Sequence, residues 1–386
     1  MIKKRSIILL FFCMGTVILT AQQNTEFLKK KASSLVYEKP DEAISIALAL
    51  LKTEKKVDET ANLYMIISNA YIAKKNNDSS LFYNLKAKNL ITKTTLPTTK
   101  IKILNSVAVQ YQQMELYEKA LQSLEEAQEL TNKFAPNDKI YLYNSAFINN
   151  TRGIIYRNQA NPDLALEKFR VALQNFQKLQ LDKKTAANLS ITYYNMASCF
   201  MDLSQLQQAY TYFKKAEKYA KMFDDDILTA YNLKGQGEIF FQNNKNQESL
   251  KSLYSAEKLA APFGDLVLNS EIYHLLAMNN LALNNIKHFQ IYNRKYLEIQ
   301  KTLEHDELKS YDRYLNAQNL EQTEITAKIK KQFNRYNWIA IILSILLLGF
   351  LTNKIYDLKK KNRRQKTLTE TLAKSKKFLE TSENRV

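Results

Sequence analysis

The chain has 386 residues and a formal charge of +18, with 23 Tyr and 18 Phe but only 6 Gly and 5 Pro. So little turn punctuation, with hardly any stretch of strict β-branched alternation, argues against a sheet and leaves an all-α chain of helices joined by short turns. Two cysteines, Cys13 and Cys199, exclude a disulfide framework, and the three histidines, His274, His288 and His305, lack metal-ligand spacing.

The N-terminus, MIKKRSIILLFFCMGTVILTAQQ, carries three basic residues ahead of an apolar run from Ile7 to Leu19. This pattern predicts a signal peptide over residues 1–21 and export of the domain after it. Leu19 is bulkier than the small residue a signal peptidase needs, so retention as an anchor is the alternative to cleavage after Ala21. Either outcome puts the next domain outside the cytoplasm. Cys13 lies inside the apolar run without a lipobox, and Cys199 beside Phe200 reads as a small buried core residue.

Residues 22–303 contain an internal repeat. Ala108, Tyr111, Ala120, Leu124 and Ala127 return at the same offsets as Gly153, Tyr156, Ala165, Phe169 and Ala172; as Ala197, Phe200, Ala209, Phe213 and Ala216; and as Gly237, Phe240, Ser249, Leu253 and Ala256. Weaker copies begin at Ser68, with Tyr71, Ser80, Asn84 and Ala87, and at Ala277, with Asn280, Phe289 and Tyr296. Small side chains at fixed positions let two helix axes approach, and aromatic ones fill the gaps between neighbours. From Phe27 to Leu303 this pattern resembles the tetratricopeptide-repeat (TPR) family. The resemblance implies an α-solenoid of about six to seven antiparallel helix pairs with degenerate ends. The period is 40 to 45 residues rather than the family's usual length of about 34, and the surplus lies after each second helix.

Residues 304–335 form a juxtamembrane helix in which Leu308, Tyr311, Leu315, Gln318, Gln322, Ile325, Ile329, Gln332 and Tyr336 alternate spacings of three and four, a heptad seam that predicts parallel homodimerisation. A transmembrane helix follows over residues 336–356. Trp338 to Leu351 holds no charge, and the 18 residues from Tyr336 to Asn353 span about 27 Å, close to the hydrocarbon thickness. Residues 353–386 carry 11 Lys or Arg against 4 Asp or Glu, so the positive-inside rule puts this end in the cytoplasm and the repeats in the periplasm or its equivalent. The tail, residues 357–386, repeats Leu358, Gln365, Leu372 and Leu379 every seven residues and predicts a short basic coiled coil. Its charge is explained by the membrane flank and by contact with anionic lipid, so no nucleic-acid partner is expected.

No phosphate-binding loop, hydrolase triad or framed carboxylate pair occurs, so no enzyme activity, catalytic residue, cofactor or metal is expected. The arrangement is similar to bacterial membrane-bound TPR sensor proteins, whose cytoplasmic linker leads to a histidine kinase or a DNA-binding output. Thr381 to Val386 resembles the segment before the phosphoacceptor helix of one kinase subgroup, but no His lies beyond the span. The expectation is a single-pass inner-membrane protein whose repeats bind a protein or peptide, as scaffold or signal-sensing input. The alternatives are a truncated or split sensor histidine kinase and a membrane-tethered transcriptional regulator lacking its DNA-binding domain. Binding residues are not assignable from the sequence, because aromatic and Asn side chains on the inner helices cannot be separated from packing.

Overall fold

The computed structural model describes residues 25–37, 39–74 and 76–383. The expected signal peptide, Cys13 and the last three residues lie outside them. The described residues form helices joined by short turns, with no strand among them: α1 (25–34), α2 (Pro40–Leu51), α3 (Val57–Ala73), α4 (Asn77–Lys88), α5 (Pro97–Gln113), α6 (Tyr117–Thr131), α7 (Lys139–Asn158), α8 (Pro162–Gln177), α9 (Lys183–Asp202), α10 (Leu206–Lys221), α11 (Asp226–Gln242), α12 (Asn246–Ala260), α13 (Leu266–Ala282) and α14 (Ile286–Glu383). Pro40, Pro97 and Pro162 open helices, where a missing N–H costs nothing. Asn76, Asp138, Asn161, Asp182, Asp225 and Asp265 cap helix starts by accepting a hydrogen bond from a first-turn N–H.

Five pairs, α3/α4 to α11/α12, repeat one geometry, and the small residues of the repeat sit at each crossing. Ala108, Ala120, Ala165, Ala197 and Ala209 are fully buried there. Polar small residues do the same work: Ser68 Oγ donates to the Ser80 carbonyl at 2.9 Å and Ser249 Oγ to the Gly237 carbonyl at 2.7 Å. The bulky partner position is filled by Leu124, Phe169, Phe213 and Leu253, each sealed from solvent and each contributing about 2–3 kcal/mol by burial. The sixth copy departs from the pattern, with Phe289 where a small residue belongs.

Each first helix from α5 to α13 ends in a left-handed residue. Glu115, Ala160, Ser204, Asn244 and Asn284 have φ of 56–59°, and the next N–H reaches back to Tyr111, Tyr156, Phe200, Phe240 and Asn280 at 2.7–2.9 Å. That bond closes the helix and turns the chain into its partner. The extra residues of the long period occupy the connection before α7 and lengthen α7 and α9 to 20 residues each.

The chain divides into two compact units after Tyr314. The repeat unit therefore extends past the expected limit at 303, because Asp306, Arg313 and Tyr314 are bonded to or packed on α4–α6. The described residues of the second unit are the continuation of α14. Through the expected juxtamembrane, apolar and tail segments α14 runs unbroken for 98 residues in all, since no Pro follows Pro262 and Gly349 alone does not stop a helix. Within Ile325–Lys376 an apolar window has mean hydropathy 2.0 and no buried residue. By length and composition it is the one described helix able to cross a membrane.

Candidate binding face

Successive first helices touch one another, α3 to α5, α5 to α7, α7 to α9, α9 to α11 and α11 to α13, whereas among the described residues the second helices do not pack comparably. Tighter spacing on one side bends the stack, so the first helices line its inner face. Three residues before each crossing position, every first helix from α5 onward presents an equivalent side chain to that face: Asn105, Asn150, Tyr194, Lys234 and His274.

The stripe is bonded from repeat to repeat. Asn105 Nδ2 donates to Asn144 Oδ1 at 3.4 Å and Thr192 Oγ1 to Asn150 Oδ1 at 3.2 Å. Tyr194 meets Tyr231 edge-on at 5.8 Å, and Tyr231 donates its hydroxyl to Asp265 at 2.8 Å. Lys234 is buried, with Glu271 at 2.7 Å and Glu238 at 3.7 Å. Burial opposes its charge, but Tyr194, Glu271 and Glu238 together hold its proton more tightly than usual. Arg157 reaches Asp202 of the next repeat through Nε at 2.6 Å and Nη2 at 3.2 Å, a planar two-pronged pair at the half-exposed edge of the face. Asn105 Oδ1, Asn195 Nδ2, Asn232 Oδ1 and Asn279 Oδ1 are buried without a protein partner, which makes the first helices amide-rich and unsaturated in hydrogen bonding.

The beginning of α14 closes this unit. Tyr292 Oη and Lys295 Nζ both bond Glu257 of α12, at 3.3 and 3.2 Å, Tyr296 lies 5.0 Å from the ring of His274, and Gln300 donates to Ser270 at 2.9 Å. Farther along, Asp306 accepts from the Asn77 N–H at 2.8 Å. Arg313 grips Asp78 through Nε at 2.5 Å and Nη2 at 2.8 Å. Tyr314 is buried against Tyr111 at 6.0 Å, with Lys119 4.9 Å above its ring. Arg313 holds the Asp78 carboxyl below the usual carboxylate range against the opposing effect of burial. A cleft of about 420 Å³ separates this stretch from α5, lined by Gln110, Gln113 and Met114 on one side and Glu304, Glu307 and Tyr311 on the other.

Cys199 is buried in the core, where desolvation pushes its thiol up to about 12. His274 lies against Tyr296 with the rings tilted by 46° and His288 bonds Asn285; among the described residues no group of three or more His, Cys, Asp or Glu could hold a metal. What the face offers is amide hydrogen bonding, paired charge and half-buried aromatic rings, the means by which an extended chain or a helix is held. Reading the position three residues ahead of each small crossing residue would have found the stripe in the sequence; the closing contacts of α14 have no such signal.

No family model and no curated protein matches the chain. Solved structures do. The chain is similar to NprR in complex with its cognate peptide NprX, at 13% identity and a TM-score of 0.55 over 77% of this chain and 87% of that one. It is similar to the Rap conjugation gene regulator of plasmid pLS20 in complex with the Phr* peptide, at 12% identity and a TM-score of 0.52 over 77% and 96%. It is also similar to the APC/C hetero-tetramer Cut9-Hcn1, at 12% identity and a TM-score of 0.50 over 71% and 48%. At these identities the likeness is one of fold: the array is a TPR-like α-solenoid.

Proposed function

We propose that this is a membrane-anchored TPR-like protein whose array binds a protein or peptide on the extracytoplasmic side, as a scaffold or as the input module of a signalling system. The observation that carries the reading is the inner face itself, where the equivalent positions of five first helices form one polar and aromatic stripe with unsatisfied amide atoms beside it. Core packing alone does not require such a stripe. Two solved proteins of the same fold hold peptides, as their structures are described, and this supports a peptide or protein segment over a small metabolite.

The location rests on sequence: a basic, apolar N-terminus, one apolar stretch in α14 and the basic flank beyond it. A photo-crosslinking residue at Asp202, on the half-exposed inner edge, should capture a discrete partner in cells, and one at Glu126, on the outer helix α6, should not. Equal capture from both positions, or none from Asp202, would remove the support for a binding face. Protease protection of the tail in right-side-out vesicles, with digestion of the array, tests the topology separately.

A second reading, the input half of a split or truncated sensor kinase, is favoured by the continuity of α14, which leads from the repeats through the apolar stretch without a break. It requires parallel pairing, so single cysteines at Gln318 and Gln365 should each crosslink two copies. Crosslinks to another protein alone would favour the scaffold.

A further inference from the structure

The repeat unit carries one contact that its repeat pattern does not call for. Asp306, Ser310, Arg313 and Tyr314 lie along one side of α14, and that side meets the first turn of α4 and the end of α5. Asp78 is the centre of the contact: its side chain is 6% exposed and it faces Arg313 directly and Lys309 at 3.7 Å. Asp306 takes the N–H of Asn77, one of the first-turn donors that α4 cannot satisfy itself.

What distinguishes this contact from those between repeats is its chemistry. Between helix pairs, polar bonds such as Arg157–Asp202 lie beside surfaces closed by buried Ala, Leu and Phe. Here, of residues 304–314, only Ser310 and Tyr314 are buried, while Leu308 and Tyr311 remain 68% and 47% exposed. Charge pairing and one ring hold the segment, a directional attachment with little apolar area behind it. Beside it lies the 420 Å³ cleft, where a chain seated against Gln110 and Gln113 would press on Glu304, Glu307 and Tyr311 of the helix.

We propose that the surface formed by α4 and α5 around Asp78 is a docking site whose resident occupant is the chain's own segment 304–314, held as a releasable latch. A partner entering the cleft competes with that segment, and release of Arg313 and Tyr314 changes the constraint on the helix that continues to Glu383. The partner's part in this rests on the binding reading above; the latch itself does not.

The test is hydrogen exchange on the full-length protein in nanodiscs, without added partner, for the wild type, Arg313→Glu, Asp78→Arg and the double exchange of charge. Each single variant should speed exchange of residues 300–314 and of the first turn of α4 by tenfold or more and leave α7–α12 unchanged. The double variant should restore slow exchange, because the pair re-forms with its signs reversed. Single variants that exchange like the wild type would overturn the proposal, as would a loss of protection spreading through the whole array, which would make the contact part of the core. Since no partner is present, failed capture at Asp202 with the latch intact counts against the binding reading alone.

Discussion

Gly153 lies directly beneath the ring of Phe169, so close that a Cβ added to it would stand 2.5 Å from the ring edge. The same relation holds between Gly235 and Phe213, and a Cβ at Gly237 would meet Leu253 at 2.9 Å. Three glycines inside helices are thus explained by close approach, and their cost to helix propensity is offset by the fully buried side chains they admit.

The sign of one substitution decides between these two effects. Helix propensity alone makes Gly153→Ala stabilising by about 0.5–1 kcal/mol, whereas overpacking makes it destabilising by about 1–3 kcal/mol. The second outcome is expected in urea unfolding of the protein, and Phe169→Leu in the same background should recover part of the loss. A stable Gly153→Ala single variant would show that α7 and α8 have room to part.

The crossing positions were legible because small residues seldom recur in register unless two helices cross there, and the apolar stretch because length and lack of charge suffice to mark it. The turns were not, since Glu115, Ala160 and Ser204 occupy left-handed conformations without the glycine that usually announces one. The latch was not legible either. Asp78 and Arg313 are 235 residues apart, and neither belongs to a periodic pattern. Leu308 and Tyr311 read as the start of a dimer seam and are exposed on α14; Asp306, Arg313 and Tyr314, which make the contact inside the repeat unit, stand off the positions that the spacing of three and four picks out.

Those turns give a second prediction. An L residue in the left-handed region costs about 1–2 kcal/mol, and replacing it by glycine returns about 0.4–1 kcal/mol to the unfolded chain. Ala160→Gly, at φ 56°, should therefore raise the unfolding free energy by about 0.5–1 kcal/mol. Gly264→Ala should do the reverse. Gly264 has φ 62° and open space where a Cβ would go, so any loss in thermal unfolding reports backbone conformation alone.

Glu217 predicts an acid dependence. It is buried, which disfavours its charge, yet Lys214, Lys221 and Gln236 donate to it at 2.7, 2.6 and 3.0 Å, and the balance lowers its pKa to about 2. A folded value below the unfolded one of about 4.3 means stability that is present above the unfolded pKa and lost as pH falls through the folded one. The contribution is on the order of 2–3 kcal/mol, lost between about pH 4.5 and pH 2. Glu217→Gln should remove most of it at pH 7 and flatten stability over that window, measured as urea midpoints against pH. An unchanged slope would mean that other carboxylates carry the acid sensitivity.

Lys234 and Glu271 make the last prediction an asymmetry. The lysine side chain is 8% exposed, while Glu238 and Glu271 are 34% and 46% exposed. Removing the lysine leaves two carboxylates that water can reach, so Lys234→Met, similar in volume, should change stability by no more than about 1 kcal/mol. Removing the carboxylates strands a buried cation, and the double variant Glu238→Gln with Glu271→Gln should lose about 3–5 kcal/mol at pH 7. The pH dependence then changes sign. With its partners present, Lys234 binds its proton more tightly folded than unfolded, so its stabilisation is complete below the unfolded value of about 10.4 and is lost only in strong alkali. Without them burial dominates, the unfolded chain binds the proton better, and stability should rise with pH from about 7 to 10. Urea midpoints that fall or stay level over that range would show the lysine had found another anion or water.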